Sequence, residues 1–199
     1  SDVYKRQIQT NPIDLLPLKM QTVEREFLTQ DELKRLEEKQ IGISRLEQVR
    51  DIFLFCCLTG LAYVDVASLS TENIVEGKRG RQWLQKARNK TNNMCNIPLL
   101  RPALRILEKY AEYRAATGRL LPVPSNQKMN AYLKELATLC GVAKNLTTHC
   151  ARHTFATTVT LANGASLENV SKMLGHSSLR MTQHYAKILN SSIERDMDK

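Results

Sequence analysis

The chain has 199 residues, 42% of them apolar, and its 29 Lys+Arg against 20 Asp+Glu give a formal net charge of +9. A packed core is therefore expected, and the positive charge favours a nucleic-acid partner, because neutralising phosphates releases condensed counterions. The 5 cysteines are odd in number and irregularly spaced, which argues against a disulfide framework and suits a reducing cytoplasm. The sequence also contains neither a membrane-spanning apolar stretch nor a signal peptide.

The N-terminal part of the chain predicts a linker followed by three helices. Pro12 and Pro17 break regular structure within residues 1–28. Thr29 and Glu32 have the spacing of a capping box, which opens the first helix. The second helix is apolar almost all round, so we expect it to be buried. The three helices are expected from Thr29 to about Lys39, over Ser44–Thr59 and over Val64–Leu69.

The middle of the chain predicts a small sheet, and the remainder is helical. Short alternating segments separated by turn residues indicate three antiparallel strands over Asn73–Glu76, Gln82–Ala87 and Asn93–Pro98. Helical periodicity then covers Arg101–Thr117, Asn126–Cys140, Thr148–Ala162, Leu167–Leu174 and Leu179–Leu189. Gly164 and Gly175 lie where helix C-caps would be. The expected fold class is mainly α with a small three-stranded antiparallel β-sheet.

The residues suited to chemistry lie close together near the C-terminus. His149 and Arg152 are three apart at the start of a predicted helix, so both can address one ligand. The free N–H groups of that helix start favour a phosphate. Gly175 places His176 in an exposed turn, and Tyr185 follows nine residues later. Each feature alone is more often structural, but the combination in this order is specific.

Four segments resemble the tyrosine recombinases, the phage-integrase-type family of DNA-breaking and DNA-rejoining enzymes. They are the first box Thr59–Asp65, a lysine-bearing hairpin at Lys90–Leu99, the second box His149–Thr157, and the third box with the nucleophile at Leu174–Tyr185. The resemblance is strongest to integrases of conjugative and mobilisable elements in Bacteroides-type bacteria. It implies the catalytic fold of that family over residues 29–199, including a tail at 190–199. Residues 1–28 would then be a linker from an upstream DNA-binding domain.

The resemblance implies a site-specific DNA recombinase that integrates or excises a mobile element through a covalent 3′-phosphotyrosyl intermediate. Tyr185 would be the nucleophile, and no metal or cofactor is needed because the tyrosine ester conserves the bond energy. Arg152 and His176 would stabilise charge on the phosphate oxygens. His149 would bond the phosphate or assist proton movement at the tyrosine. Lys90 would protonate the leaving 5′ oxygen.

One position departs from the resemblance. Ala62 stands where most relatives have an arginine that holds the scissile phosphate, although Asp65 keeps the acidic position of that box. Side chains alternate along a strand, so Lys86, Arg88 and Lys90 would point the same way if no bulge intervened. Because arginine offers a planar fork for two phosphate oxygens, Arg88 is the expected substitute.

The resemblance also implies partners. They are double-stranded DNA attachment sites, three further copies of the chain in a homo-tetramer on DNA, and an accessory DNA-bending protein as an additional candidate. The free chain is expected to be a monomer in the bacterial cytoplasm, with no membrane contact. Ile193 and Met197 are four apart in the tail and share a helix face, so the tail is expected to dock on a neighbouring protomer.

Two other classes of function stay open. His149 and His153 have the spacing of a metal pair, which suggests a zinc hydrolase, but Cys150 stands where that motif requires glutamate. In the recombinase interpretation His153 instead orients its neighbours. The second alternative is a non-catalytic or decayed DNA-binding module of a mobile element, favoured by Ala62. A type IB topoisomerase shares the chemistry but matches the sequence less well.

Overall fold

The computed structural model describes residues 26–197, and describes side chains for all of these except residues 188–196. The helices are α1 Gln30–Glu38, α2 Ser44–Thr59, α3 Tyr63–Ala67, α4 Arg101–Lys109, α5 Ala111–Thr117, α6 Asn126–Leu139, α7 Thr148–Thr154, α8 Leu167–Met173 and α9 Arg180–Met197. The strands are β1 Ile74–Glu76, β2 Gln82–Ala87 and β3 Met94–Pro98. The expected fold class is confirmed. In residues 26–197 no helix is long and apolar enough to span a membrane. The expected linker lies outside these residues as far as residue 25.

Helix α2 occupies the centre of the molecule, as its sequence predicts. From Asp51 to Thr59 nearly every side chain is buried, and α1, α4, α6 and α7 all pack around the helix. Gly60 ends the helix in the left-handed region, with φ 68°. A Cβ there would overlap the Phe155 ring and come within 2.8 Å of Leu174 Cδ2. Glycine is therefore required both by the backbone angle and by close packing.

The N-terminal edge of the described fold is fastened to helix α7. The capping box of α1 is present, since Thr29 N–H donates to Glu32 Oε2 at 2.8 Å and Glu32 N–H donates to Thr29 Oγ1 at 3.3 Å. Leu28, which the sequence placed at the end of the linker, is fully buried in the core. Its N–H donates to Thr154 Oγ1 at 2.9 Å, and its carbonyl accepts from the Thr158 hydroxyl. The packed core therefore includes Leu28.

The three strands form an antiparallel sheet in the order β1-β2-β3. Leu84 of β2 pairs with Ile97 of β3, and both side chains are buried against the helices. The outer strand β1 pairs with β2 with Val75 opposite Trp83. Strand β3 packs against α8, so the sheet brings its β2–β3 turn towards the C-terminal helices.

The single helix expected over Arg101–Thr117 is wrong, because the chain divides into α4 and α5 at Tyr110. That residue has φ −103° and ψ 23°. Its hydroxyl donates to the buried Asp51 carboxylate of α2 at 3.0 Å. The Arg114 guanidinium donates to the Leu107 carbonyl at 2.5 Å. These two side-chain bonds compensate for the interruption.

The helix expected over Thr148–Ala162 is continuous but changes type. Helix α7 ends at Thr154, a π-helical turn covers Phe155–Thr160, and a 3₁₀ turn follows. The Thr160 hydroxyl donates to two carbonyls one turn earlier, at 2.8 and 2.9 Å. Threonine hydroxyls that bond the backbone in this way compete with the regular α pattern. Widened turns of this kind often lie near functional sites.

Candidate active site

Tyr185 lies on α9 with only 5% of its surface exposed. Its ring faces three histidine rings, at centroid distances of 5.3 Å to His153, 6.2 Å to His176 and 6.2 Å to His184. The His176 ring is nearly parallel to it, with an interplanar angle of 5°. The fold therefore brings together residues that are up to 32 positions apart, from α7, from the α8–α9 loop and from α9.

Arg152 on α7 joins the first and third boxes. Its guanidinium donates to the Gly60 carbonyl at 2.6 Å and to the Leu174 carbonyl at 2.8 Å, and Nη2 lies 3.1 Å from His176 Nε2. Burial, and next the positive charge of Arg88, lower the pKa of Arg152. Among the described side chains no carboxylate lies within ion-pair distance of this guanidinium.

His176 is neutral in the free protein. Burial, and then the charges of Arg152 and Arg88, lower its pKa to about 4. Arginine only donates hydrogen bonds, so His176 Nε2 must accept from it and the ring proton must lie on Nδ1. That N–H then donates to Thr182 Oγ1 at 2.7 Å. Thr182 therefore fixes both the tautomer and the ring orientation.

Arg88 reaches the same site from the end of β2. Its side chain is 12% exposed, and its Nε lies 4.0 Å from Asp65 Oδ2. This nitrogen has no hydrogen-bond acceptor within the described part of the chain. The side chain lies against Gly175, where an added Cβ would come within 2.9 Å of Arg88 Cδ. Two largely buried arginines, Arg88 and Arg152, thus share the neighbourhood of one carboxylate.

Lys90 lies in an exposed turn after β2. The expectation that Lys86, Arg88 and Lys90 share one strand face is wrong for both Arg88 and Lys90, because β2 ends at Ala87. The Arg88 N–H donates to the Asn93 carbonyl at 3.0 Å, which turns the chain at this point. The Lys86 ammonium donates to the Ser68 carbonyl at 3.4 Å.

The two histidines that suggested a metal pair differ in their surroundings. His149 is exposed on the first turn of α7, whereas His153 is buried against Tyr185. Within residues 26–197, no group of three or more histidine, cysteine, aspartate or glutamate side chains could hold a metal ion. The described geometry therefore offers the zinc hydrolase interpretation no complete ligand set.

The profile of the phage integrase family matches residues 26–191. The chain belongs to the phage integrase family. The chain is 30% identical over 183 residues to tyrosine recombinase XerA of Pyrococcus furiosus, covering 84% of the chain and 60% of that protein. It is 32% identical over 146 residues to tyrosine recombinase XerD of Rhizobium meliloti, covering 68% of the chain and 45% of that protein. The chain thus spans about 60% or less of these relatives.

Solved structures agree with the fold of the chain. The crystal structure of XerA recombinase matches with a TM-score of 0.66 and 25% identity, over 86% of the chain and 63% of that structure. A lambda integrase dimer bound to a COC′ core site matches with a TM-score of 0.66 and 22% identity, over 89% of the chain and 64% of that structure. The expected family and its catalytic fold are therefore confirmed.

Three side chains that support the candidate site were missed from sequence. Thr182 forms a hydrogen bond with His176. On the two sides of the Lys90 turn, Asn89 donates to the Val64 carbonyl of α3 and Asn93 donates to the Gly175 carbonyl before His176. The position of Thr182, three residues before Tyr185 on one helix, was an available signal. The two asparagines resemble ordinary turn residues, and only the fold reveals their partners.

Proposed function

We propose that this integrase is a site-specific DNA recombinase that cleaves and rejoins DNA through a covalent 3′-phosphotyrosyl intermediate on Tyr185. The main observation that supports this proposal is the excess positive charge beside that tyrosine. Arg152 is 6% exposed, and the Arg88 side chain is 12% exposed beside Asp65. Burying two cations near one carboxylate is costly unless an anion joins them. A DNA phosphate suits this place, because arginine pairs phosphate oxygens bidentately.

Each site residue takes a separate part in the reaction. The Tyr185 oxygen attacks phosphorus while the 5′ oxygen leaves. Arg152 and His176 stabilise the charge that develops on the non-bridging oxygens. His149, exposed at the start of α7, bonds the phosphate or accepts the tyrosine proton, and Lys90 gives a proton to the leaving oxygen. Rejoining reverses these steps, so neither a metal nor a cofactor takes part.

Supporting residues orient this machinery. His153 packs against the nucleophile at 5.3 Å between ring centroids. Asp65 lies between Arg88 and the Lys90 turn, since its Oδ1 accepts from the Asn89 N–H at 2.8 Å. We propose that Asp65 holds both the cation and the turn in place.

Arg88 is proposed to replace the arginine that is missing at Ala62. Ala62 is the N-cap of α3, and Arg88 reaches the Asp65 carboxylate of that helix. The charge of Arg88 lowers the pKa of both Arg152 and His176, which supports its closeness to the phosphate-binding groups. Its buried Nε has no acceptor among residues 26–197, so the guanidinium keeps unused hydrogen-bonding capacity in the free protein.

The proposed partners are duplex attachment sites of a mobile element. Structures of XerH bound to a difH substrate and of lambda integrase bound to a core site support DNA as the partner. We further propose a homo-tetramer on DNA, a monomer for the free chain, a cytoplasmic location and assistance from a DNA-bending protein. Residues 1–28 would connect to an upstream DNA-binding domain, and the tail 190–199 would dock on a neighbouring protomer. Ala62 departs from the usual arginine of the family. We also propose that the mobile element is of the kind found in Bacteroides-type bacteria, whose integrases the chain resembles.

A covalent adduct on nicked DNA tests the nucleophile. The chain is incubated with a nicked duplex library of randomised sequence, and covalent adducts are separated on a denaturing gel. Tyr185→Phe should keep DNA binding and lose the adduct, because only the hydroxyl is removed. The matched control is Tyr113→Phe on α5, which should form the adduct normally. DNA binding without any adduct from the unaltered chain would favour the non-catalytic module instead.

The cleavage rate at saturating protein distinguishes two roles for Arg88. It could bind the scissile phosphate, here called a clamp, or bind a neighbouring DNA phosphate for affinity alone, here called a grip. As a clamp, Arg88→Ala should lower the cleavage rate of bound DNA by ~10²-fold, as loss of one oxyanion donor does. Adding Ala62→Arg to that variant should restore part of the rate. The control Arg81→Ala removes an exposed arginine beyond the other end of β2. Normal saturated cleavage by Arg88→Ala, with weaker binding and a flatter salt dependence, would assign it to grip alone.

A further inference from the structure

The turn that carries Lys90 is fastened on one side to helix α3. The Asn89 side-chain amide donates to the Val64 carbonyl at 3.1 Å and lies 3.4 Å from Ser68 Oγ. The Asn89 backbone N–H donates to Asp65 Oδ1 at 2.8 Å. The residue before Lys90 is therefore held by two groups of the first box, on Val64 and Asp65, and by the hydroxyl of Ser68 at the end of α3.

The same turn is fastened on its other side to the loop before His176. The Asn93 side-chain amide donates to the Gly175 carbonyl at 3.2 Å. Gly175 has φ 61° and lies against Arg88 and Cys95, so this carbonyl has little freedom to move. The next residue is His176, which touches Arg152. Asn93 therefore connects the Lys90 turn to the phosphate-binding groups.

We propose that Asn89 and Asn93 are positioning residues for Lys90. Asn89 bonds α3 and Asn93 bonds the loop before His176. The backbone of the exposed turn that carries Lys90 is therefore held in place beside the proposed phosphate site. A flexible lysine on an unanchored turn would reach the leaving oxygen only part of the time, and small misplacements of a reacting group are costly. This inference rests on the proposed function, in which Lys90 is the general acid.

Changing the leaving group from oxygen to sulfur distinguishes a role of the two asparagines in positioning Lys90 from a role in folding. During cleavage the bond from the Tyr185 oxygen to phosphorus forms and the bond from phosphorus to the 5′ oxygen breaks. The proton of the Lys90 ammonium passes to that oxygen, while the tyrosine proton passes to His149. When sulfur replaces the 5′ bridging oxygen, the thiolate leaves without a proton. A defect confined to the general acid should therefore vanish with sulfur.

Single-turnover cleavage of oxygen and 5′-phosphorothiolate substrates is the test, using a sequence recovered as an adduct from the nicked library. With oxygen, Asn93→Ala and Asn89→Ala should each cleave ~10- to 10²-fold more slowly, within the range that general acids contribute. With sulfur, both should come within ~3-fold of the unaltered chain, as should Lys90→Ala. The matched control is Asn96→Ala, an exposed asparagine on β3, which should be normal with both. Arg152→Ala should be slow with both.

The outcomes separate the inference from the proposed function. Equal losses with oxygen and sulfur in the asparagine variants, or no loss with oxygen, would overturn the positioning role. Failure of the unaltered chain to form an adduct with either substrate would contradict the recombinase function itself. Melting temperatures of the variants within ~3 °C of the unaltered chain show that folding is intact, since ~1 kcal/mol shifts a domain of this size by a few degrees.

Discussion

The neutral state of His176 controls how the free protein responds to acid. Burial, together with Arg152 and Arg88, lowers its pKa from 6.5 to about 4. In the unfolded chain this histidine takes up its proton near the ordinary value, whereas in the folded chain it does so near 4. Between these values the unfolded state binds more protons, so stability rises with pH. The contribution of His176 is complete above the ordinary pKa and is lost as the pH falls to the folded value.

We predict that the free energy of unfolding decreases as the pH falls from 6.5 to about 4, and that His176→Gln reduces this slope. Carboxylates such as Glu32, whose pKa the fold lowers, add to the loss of stability at the acidic end of this window. The comparison between variant and unaltered protein isolates the histidine. Urea unfolding at a series of pH values measures it. His184→Gln alters an exposed histidine and should leave the slope unchanged. Identical slopes for His176→Gln and the unaltered protein would contradict the prediction.

Between elements, a buried carboxylate joins α2 to the end of α4. Asp51 accepts from the Lys109 ammonium at 2.6 Å, from the Tyr110 hydroxyl at 3.0 Å and from Arg50 Nε at 3.3 Å. It is 4% exposed, so its charge depends on these three donors. The same contact coincides with the interruption between α4 and α5. Asp51 therefore fixes both the packing and the length of α4.

We predict that Asp51→Ala lowers the free energy of unfolding by ~2–3 kcal/mol. Removing one partner of a buried ion pair costs ~3–5 kcal/mol, and the partial exposure of Lys109 reduces this. Tyr110→Phe removes one hydrogen bond and should cost ~1 kcal/mol. Equilibrium denaturation measures both. Glu108→Ala, an exposed change on α4, should have little effect. A cost below ~1 kcal/mol for Asp51→Ala would show that the cluster is not stabilising.

Elements whose signals are local could be predicted from sequence. The apolar run of α2, the capping box of α1 and the turn residues around the three strands all act over a few positions. The α4–α5 break could not be predicted, because Tyr110 bonds a residue 59 positions away. The π-helical turn was also missed, since the threonines that accompany it do not differ in pattern from an α-helix.

The candidate site also contains parts that could be predicted from sequence and parts that could not. That Tyr185, Arg152 and His176 lie close together could be predicted, because the boxes that contain them are short and occur in a fixed order. Arg88 was selected by strand alternation with Lys90, yet β2 ends at Ala87. Its proposed role now depends on the contact with Asp65. Arg88 and Asp65 lie on separate segments of the chain, so neither helical nor strand periodicity predicts that they come together.

Across the whole molecule, all five cysteines are free and buried. Burial raises the pKa of Cys56 to about 12 and that of Cys150 to about 11. Cys95, beside Gly175, also has a raised pKa because of burial. Thiols react as thiolates, so the native fold suppresses their chemistry in two ways, by excluding the reagent and by disfavouring the thiolate.

We predict that a thiol reagent such as DTNB labels the native protein at pH 8 ~10²-fold more slowly than the unfolded protein, in which all five cysteines react. A time course of absorbance in buffer and in denaturant measures the two rates. Ser177→Cys provides a matched exposed thiol and should react at once in the native state. Rapid labelling of any native cysteine in the unaltered protein would contradict the burial described for it.

The attachment of Leu28 to α7 has a mechanical consequence. Tension applied to the chain before Leu28 reaches Thr154 and Thr158 through two hydrogen bonds to their hydroxyls. It also reaches the loop before α7, because the Glu26 carboxylate accepts from the Asn145 N–H at 3.0 Å. These threonines follow Arg152 by two and six positions, so the pull acts on the helical segment that carries Arg152. The chain before Leu28 is thus mechanically coupled to the segment that carries Arg152.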